Sequence, residues 1–314
     1  MIPLVLPSAV KIVEVGPRDG LQNESKHVSS ADKISLIERL AAAGLSQIEM
    51  TAFVSPRQIP ALADANEVAA GVCKLPGVEY SALVPNLQGY EAASKAGVTS
   101  CALFLSASET HCQKNINKSV AQALESFQAV SQRARADGNR LRAYISTVFG
   151  CPYEGEVPIA KTIDIARSLL ALGVEEISLG DTTGMGTPLQ VARYLAELFA
   201  ELPPERFACH FHDTRGTALV NSLIALQSGV KIFDTSIGGL GGCPYAPGAT
   251  GNLATDDLVY LLTSMGIETG VKLAELTAIT SWICQEVLQI EIPSRYAKAK
   301  LAELTRKDLV TITP

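Results

Sequence analysis

The segment Ser29-Ser30-Ala31-Asp32-Lys33-Ile34-Ser35-Leu36-Ile37-Glu38-Arg39-Leu40-Ala41-Ala42-Ala43-Gly44-Leu45-Ser46-Gln47-Ile48-Glu49-Met50-Thr51 reads as one helix, one stop and one strand. Ser29 or Ser30 can accept the first free helix amides, and Asp32 complements the positive end of the helix dipole. Ile34, Ile37 and Ala41 recur at i, i+3 and i+7, the row that a helix buries against a core. Gly44 supplies the turn on which a helix ends, and Gln47–Thr51 has the β-rich composition of a strand. The same punctuation recurs at Ala96-Gly97-Val98, Leu172-Gly173-Val174 and Ser228-Gly229-Val230, each time just before an even-numbered strand. Strands are expected at Lys11–Val15, Gln47–Thr51, Glu79–Val84, Ser100–Ser106, Arg142–Phe149, Glu175–Leu179, Phe207–His212 and Lys231–Ile237. Strands alternating with helices imply βα units and a parallel sheet. Eight units predict a closed (β/α)8 TIM barrel. A single domain is expected over residues 1–314, with 271–314 as a C-terminal helical extension that contains the apolar helix Leu273–Leu288 and the only tryptophan, Trp282.

Composition narrows the function classes. A hydrophobic content of 47% can fill a large core, and a net charge of −6 argues against a nucleic-acid surface. The seven cysteines include no Cys-x-x-Cys pair, which suits reduced thiols better than a disulfide framework. No apolar run approaches the roughly 20 residues that cross a bilayer, so no membrane partner is expected. The start, Met1-Ile2-Pro3-Leu4-Val5-Leu6-Pro7, lacks the charge pattern of a secretory or mitochondrial leader. The end, Thr311-Ile312-Thr313-Pro314, is not a peroxisomal address. A cytoplasmic location is expected by elimination.

Three segments carry chemistry. The run Gly238 to Asn252 (Gly-Gly-Leu-Gly-Gly-Cys-Pro-Tyr-Ala-Pro-Gly-Ala-Thr-Gly-Asn) is too rich in glycine and proline for a helix or a central strand. It presents Cys243 on a loop and ends on Asn252, whose amide oxygen suits a hard metal. Upstream, Cys209-His210-Phe211-His212-Asp213 holds two of the four histidines. On a strand His210 and His212 project to the same face, as a metal-ligand pair or as hydrogen-bonded core histidines. Near the start, strand 1 runs into Gly16-Pro17-Arg18-Asp19-Gly20-Leu21-Gln22, an active loop or a solvated turn. Barrel closure makes strands 7, 8 and 1 neighbours. Asp19, His210, His212 and Asn252 then converge at one side of the mouth, a donor set for Mg²⁺ or Mn²⁺ with open water positions.

Together these stretches, with Ile48–Pro56, Gly150–Gly155 and Ser178–Gly186, resemble the 3-hydroxy-3-methylglutaryl-CoA lyase family of metal-dependent TIM-barrel enzymes. The cysteine-containing glycine loop is the most specific match; the Arg-Asp turn and the His-x-His are shared with related condensing enzymes. The resemblance implies cleavage of 3-hydroxy-3-methylglutaryl-CoA to acetoacetate and acetyl-CoA. It implies a metal on Asp19, His210, His212 and Asn252, with Arg18, Asp19, His210 and Cys243 in catalytic roles. Arg18 is expected to stabilise the enolate oxygen and Cys243 to act as acid or base. Gln22, Tyr144 and Asn115 are expected to meet substrate, while Lys114 is either a contact to the phosphates of CoA or, the favoured reading, a solvated helix start. Supporting roles fall to Glu49, orienting Arg18; to Glu14, which shares parity with Ile12 on strand 1, pointing inward to hold a ligating histidine; and to Asp181, as a positioning carboxylate or a turn residue. Ser25 and Asp256 depart from the family pattern, which bears on acyl preference. A citramalyl-CoA or longer branched acyl-CoA lyase, a condensing enzyme and a silent binding module are the alternatives. The expected partners are an acyl-CoA substrate and further copies of the chain, in a homo-oligomer of two or more subunits.

Overall fold

The computed structural model describes residues 6–242 and 251–311. Strands β1 (Lys11–Glu14), β2 (Gln47–Ala52), β3 (Glu79–Leu83), β4 (Ser100–Ser106), β5 (Arg140–Ser146), β6 (Glu176–Asp181), β7 (Phe207–Phe211) and β8 (Ile232–Thr235) pair in chain order and close into a barrel. Closure runs through parallel pairing of β8 with β1, which sets Val13 beside Asp234. Every expected strand is present, most with an end shifted by a few residues, and two of the shifts have a plain backbone cause. β5 ends at Ser146 because Thr147 turns left-handed, at φ 60°. β8 stops at Thr235 because Ile237–Gly239 coils into a 3-10 turn.

The helices form the outer ring: α1 (Ser30–Ala42), α2 (Ala65–Gly71), α3 (Leu87–Lys95), α4 (Glu109–Ile116), α5 (Val120–Asp137), α6 (Ile159–Ala171), α7 (Pro188–Glu201), α8 (Ala218–Gln227) and α9 (Thr255–Ser264). α7 shows the sequence logic in full. Thr187 and Gln190 form a reciprocal capping box, Pro188 opens the first turn, and Val191, Tyr194, Leu195 and Leu198 are the buried face. In α1, Ser29 is the cap and accepts the Asp32 amide at 3.1 Å. Its buried face is Lys33, Leu36, Ile37, Leu40 and Ala41, so the stripe is rotated from the expected row. Ile34 is half-buried and packs beside α2, where a side chain on Gly71 would strike it. Gly44 follows at φ 101°, the conformation its position requires, and Gly97, Gly173 and Gly229 repeat it.

Strand alternation divides the interior in two. Ile48, Met50, Leu103, Leu105, Ile177, Leu179 and Phe233 belong to the apolar core that holds the helices to the barrel. The other side of each strand faces the bore and is largely polar. Ion pairs cross it between strands that are not neighbours: Lys11 to Glu176 at 2.7 Å, from β1 to β6, and Arg142 to Asp234 at 2.5 Å, from β5 to β8.

The C-terminal segment packs on the barrel. α10 (Leu273–Ser281) loosens into a π-helical stretch at Trp282–Leu288, and α11 (Arg295–Thr311) follows. The Arg39 guanidinium lies 4.3 Å from the Trp282 ring centre, which ties α1 to this segment. Among the described residues no helix is long and apolar enough to cross a membrane.

Candidate metal centre and active site

β1 leads into a π-helical turn, Gly16–Gly20, whose amides at Arg18 and Asp19 return to the Val15 carbonyl. The turn sets two adjacent charged residues at the barrel mouth. Arg18 is buried. Its Nε donates to Glu49 and its Nη1 donates to Asp19 Oδ1 at 2.5 Å. Glu49, from β2, also accepts the Tyr144 hydroxyl at 2.8 Å. Glu49, expected to orient Arg18, thus grips both Arg18 and Tyr144. Burial works against the guanidinium charge, but Glu49 and Asp19 outweigh it and hold Arg18 more firmly protonated than usual. Burial, then the Glu49 charge, pushes the Tyr144 phenol well up, so it stays a hydrogen-bond donor.

Across the mouth, His210 is the penultimate residue of β7 and His212 follows the strand, with their Nε2 atoms 3.2 Å apart. The return of the glycine loop pairs with this strand end. The Asp213 amide donates to Gly251 O at 2.7 Å and the Leu253 amide to Phe211 O at 3.1 Å, so Asn252 bridges His212. Glycine is required at Gly241: its φ is 99°, and a side-chain carbon there would lie 2.7 Å from the Asn252 amide nitrogen. Asn252 Nδ2 donates to Asp19 Oδ2 at 2.8 Å and to Leu240 O at 3.1 Å. Its Oδ1 is buried with no hydrogen-bond partner among the described residues.

That orphaned oxygen tests whether the residues fit a metal. Ligand atoms of Asp19, His210 and His212 all lie within 4.8 Å of one another, and the Asn252 amide is hydrogen-bonded to one of them. Burial raises the Asp19 pKa, but Arg18 and then the two imidazoles pull it down to about 2, so it is a carboxylate. Burial, then the neighbouring His210, pushes His212 down to about 3, so it is a neutral imidazole with a lone pair to give. A carboxylate, neutral imidazole and an unclaimed amide oxygen form a donor set for a divalent cation.

The structure corrects one second-layer assignment and fills another. Glu14 shares the side of Ile12, as expected, but that side faces the helix layer, away from the bore. Its carboxylate accepts the Gly16 and Ile237 amides and the Thr255 hydroxyl, and it holds no histidine. The carboxylate beside His210 is Asp234, with Oδ2 3.3 Å from Nδ1. The sequence signal for it was an acid inside the apolar strand Ile232-Phe233-Asp234-Thr235. Asp181 accepts the Met185 amide at 2.9 Å and the Gly186 amide at 3.1 Å, so it organises the loop after β6. Burial pushes its pKa up to about 6. Asp256, one of the departures from the family pattern, accepts the Gly238 amide and the Thr280 hydroxyl and ties α10 to the glycine run.

A cavity of about 1020 Å³ opens over the site, lined by Arg18, Asp19, Gln22, Asn115, Tyr144, His210 and His212 among others. Its far wall is apolar, with Val54, Ile59, Leu62, Leu83 and Phe104. Lys114 lies instead over the Tyr153 ring at 4.6 Å. Lys118 and His111, which sequence reasoning passed over, do line the cavity. Cys243 lies outside the described residues; Gly242, just before it, lines the cavity.

A parallel eight-stranded barrel that gathers an acid, two histidines, an amide and a buried arginine beyond the C-terminal ends of its strands is a barrel enzyme with a possible metal site. The HMGL-like family model matches residues 9–283, and the chain belongs to that family. It is a carbon–carbon lyase. It is 51% identical over 289 residues to the hydroxymethylglutaryl-CoA lyase of Bacillus subtilis, covering 92% of this chain and 96% of that one. It is 49% identical over 298 residues to the 3-hydroxy-3-isohexenylglutaryl-CoA/hydroxymethylglutaryl-CoA lyase of Pseudomonas aeruginosa, covering 95% and 99%. A solved HMG-CoA lyase from Acinetobacter baumannii, in complex with coenzyme A and 3-methylmalate, superposes with a TM-score of 0.89 at 39% identity, covering 93% and 95%.

Proposed function

We propose that the chain cleaves 3-hydroxy-3-methylglutaryl-CoA to acetoacetate and acetyl-CoA, with Mg²⁺ or Mn²⁺ held by Asp19, His210, His212 and Asn252. One observation carries this reading: a buried permanent cation, Arg18, lines one cavity with Asp19, His210 and His212, and the Asn252 amide oxygen behind them has no hydrogen-bond partner among the described residues. In the reaction the 3-hydroxyl loses its proton, C3 becomes a ketone and the C2–C3 bond breaks. The electron pair passes to the thioester as an enolate, which then takes a proton at C2. When bound, the divalent ion supplies Lewis acidity that makes the 3-hydroxyl easier to deprotonate. Arg18 faces the thioester oxygen and stabilises charge that appears only during cleavage. Glu49 and Asp19 fix the guanidinium before substrate arrives, so little reorganisation is needed. Gln22, Asn115 and Tyr144 orient the acyl group. Cys243 is the proton-transfer thiol, an assignment that rests on the family resemblance of its loop.

A second reading is favoured by the apolar wall of Ile59, Leu62, Leu83 and Phe104. A longer apolar substituent at C3 fits against such a surface, as the name of the Pseudomonas relative suggests for that enzyme. Turnover of a panel of 3-hydroxy-3-substituted acyl-CoAs, with the ketoacid products identified, decides between them. A kcat/KM tenfold higher for a longer thioester overturns the methyl preference; no cleavage of any member overturns both. Metal analysis of Asp19→Ala and His212→Ala is expected to show loss of the ion, and full retention in both removes the ligand set. Alkylation of Cys243 is expected to stop turnover and to be slowed by substrate. We further propose a homo-oligomer in the cytoplasm, tested by sedimentation and cell fractionation.

A further inference from the structure

We propose that Asp234, braced by Arg142, is a positioning residue that fixes the tautomer of His210 and aims its Nε2 lone pair at the metal position. The inference rests on the reading of His210 as a metal ligand.

Asp234 lies on β8 directly beside His210 on β7. Its carboxylate is 1% exposed and is surrounded by donors. Arg142 Nη2 donates to Oδ1 at 2.5 Å, and the Ser178 hydroxyl donates to Oδ2 at 2.6 Å. His210 Nδ1 is the third partner, at 3.3 Å from Oδ2. A carboxylate facing a permanent guanidinium can only accept, so the ring must carry its proton on Nδ1. A neutral imidazole then has its lone pair on Nε2, which is the atom 3.2 Å from His212 Nε2 and 3.9 Å from Asp19 Oδ2. His212 gives the contrast, since its Nδ1 is buried without a hydrogen-bond partner among the described residues. One ligand ring is set by a carboxylate and the other is not.

The brace extends further. Arg142 Nε donates to Glu176 Oε1 at 2.6 Å, and Glu176 Oε2 accepts Lys11 Nζ at 2.7 Å. This chain of alternating charge crosses the bore under the site. Its top end is the only part that touches a ligand ring, and that separates positioning from stability.

The test begins with metal-free wild-type protein carrying ¹⁵N-histidine, with the His210 signals assigned by comparison with His210→Asn. Recorded at a pH high enough for the ring to be neutral, the expected spectrum has the proton on Nδ1 and a bare Nε2; a neutral ring with its proton on Nε2 overturns the inference without any variant having to fold. The second arm is Mn²⁺ titration. Asp234→Asn is expected to bind Mn²⁺ about 10–100-fold more weakly, the scale for losing a carboxylate behind a ligating histidine. Glu176→Gln loosens the lower chain but leaves the Asp234–His210 contact, so its Mn²⁺ affinity is expected to stay within about threefold of wild type. If Glu176→Gln loses as much affinity as Asp234→Asn, the effect is general loosening of the bore and the assignment to Asp234 fails. Wild-type protein that binds no Mn²⁺ removes the metal reading itself, a result distinct from a wrongly placed proton.

Discussion

The two sides of each barrel strand are built on opposite principles. The outer side, under the helices, is apolar: Leu36, Leu40, Ile48, Leu103, Ile177 and Leu198 are fully buried there. Each contributes roughly 1.5–3 kcal/mol by leaving water, with no demand on orientation beyond good packing. The bore holds Glu49, Arg142, Glu176, His210 and Asp234, all buried and all charged or ionisable. Desolvating such groups costs several kcal/mol each, and pairing roughly offsets that cost. The outer layer stabilises the barrel; the bore uses that stability to hold charges where water would otherwise scatter them.

The strongest way to break this division is Arg142→Met. It removes the guanidinium that neutralises the buried Asp234 and leaves that carboxylate only the Ser178 hydroxyl and His210; a loss of about 3–5 kcal/mol in unfolding free energy is expected by denaturant titration. Arg142→Met combined with Asp234→Leu is expected to recover most of that stability while metal affinity stays impaired. Recovery of both would show that the pair serves neither the site nor specificity. Next is Arg18→Gln, at the top of the bore. Steady-state kinetics is expected to give a kcat lower by about 10²–10³, near 3–4 kcal/mol of transition-state stabilisation, with the fold intact. A change confined to KM contradicts its place at the developing charge.

In the outer layer, Leu198→Ala on α7 is expected to cost roughly 2–5 kcal/mol of stability through the cavity it leaves. The kcat of the folded fraction should match wild type, and a parallel fall in kcat would show the two layers to be coupled. The smallest effect sharpens the comparison at Glu14, a carboxylate in the outer layer. Burial, opposed by the Thr255 hydroxyl and two amides, raises its pKa to about 7 from 4.5. A raised carboxylate favours folding while protonated, so its contribution is complete below pH 4.5 and is lost as pH rises through 7. Compared with Glu14→Gln, wild type is expected to lose about 1–3 kcal/mol across that window. Thermal melts that stay parallel from pH 4.5 to 7.5 would reject the shifted group.

Much of this was legible in the chain because it is local. Ser29 with Asp32 and the recurring glycines each act over a few residues, so helix ends and strand order could be read directly. Arg18 next to Asp19, and His210 two residues from His212, announced a site for the same reason. Glu14 and Asp234 show where that reading stops. Strand parity says which residues share a side, but not which side is the bore. Ile12 and Glu14 were rightly grouped, and the group faces the helices. Asp181 was open between a positioning carboxylate and a turn acceptor, and only the structure shows that its carboxylate accepts the Met185 and Gly186 amides.

The sequence by itself determined the eight alternating units, the family, and the residue types available to bind a cation and stabilise an enolate. Periodicity, capping and short motifs suffice for these, because their physics is contained within one or two turns of chain. The tertiary structure alone decided that Asn252 turns its nitrogen to Asp19 and leaves its oxygen unclaimed, and that Arg142 reaches across to Asp234, 92 positions away. Those contacts exist only once β8 has closed on β1. Closure fixes which side chains share the low-dielectric bore, and there each charge must find its partner from whatever strand stands opposite.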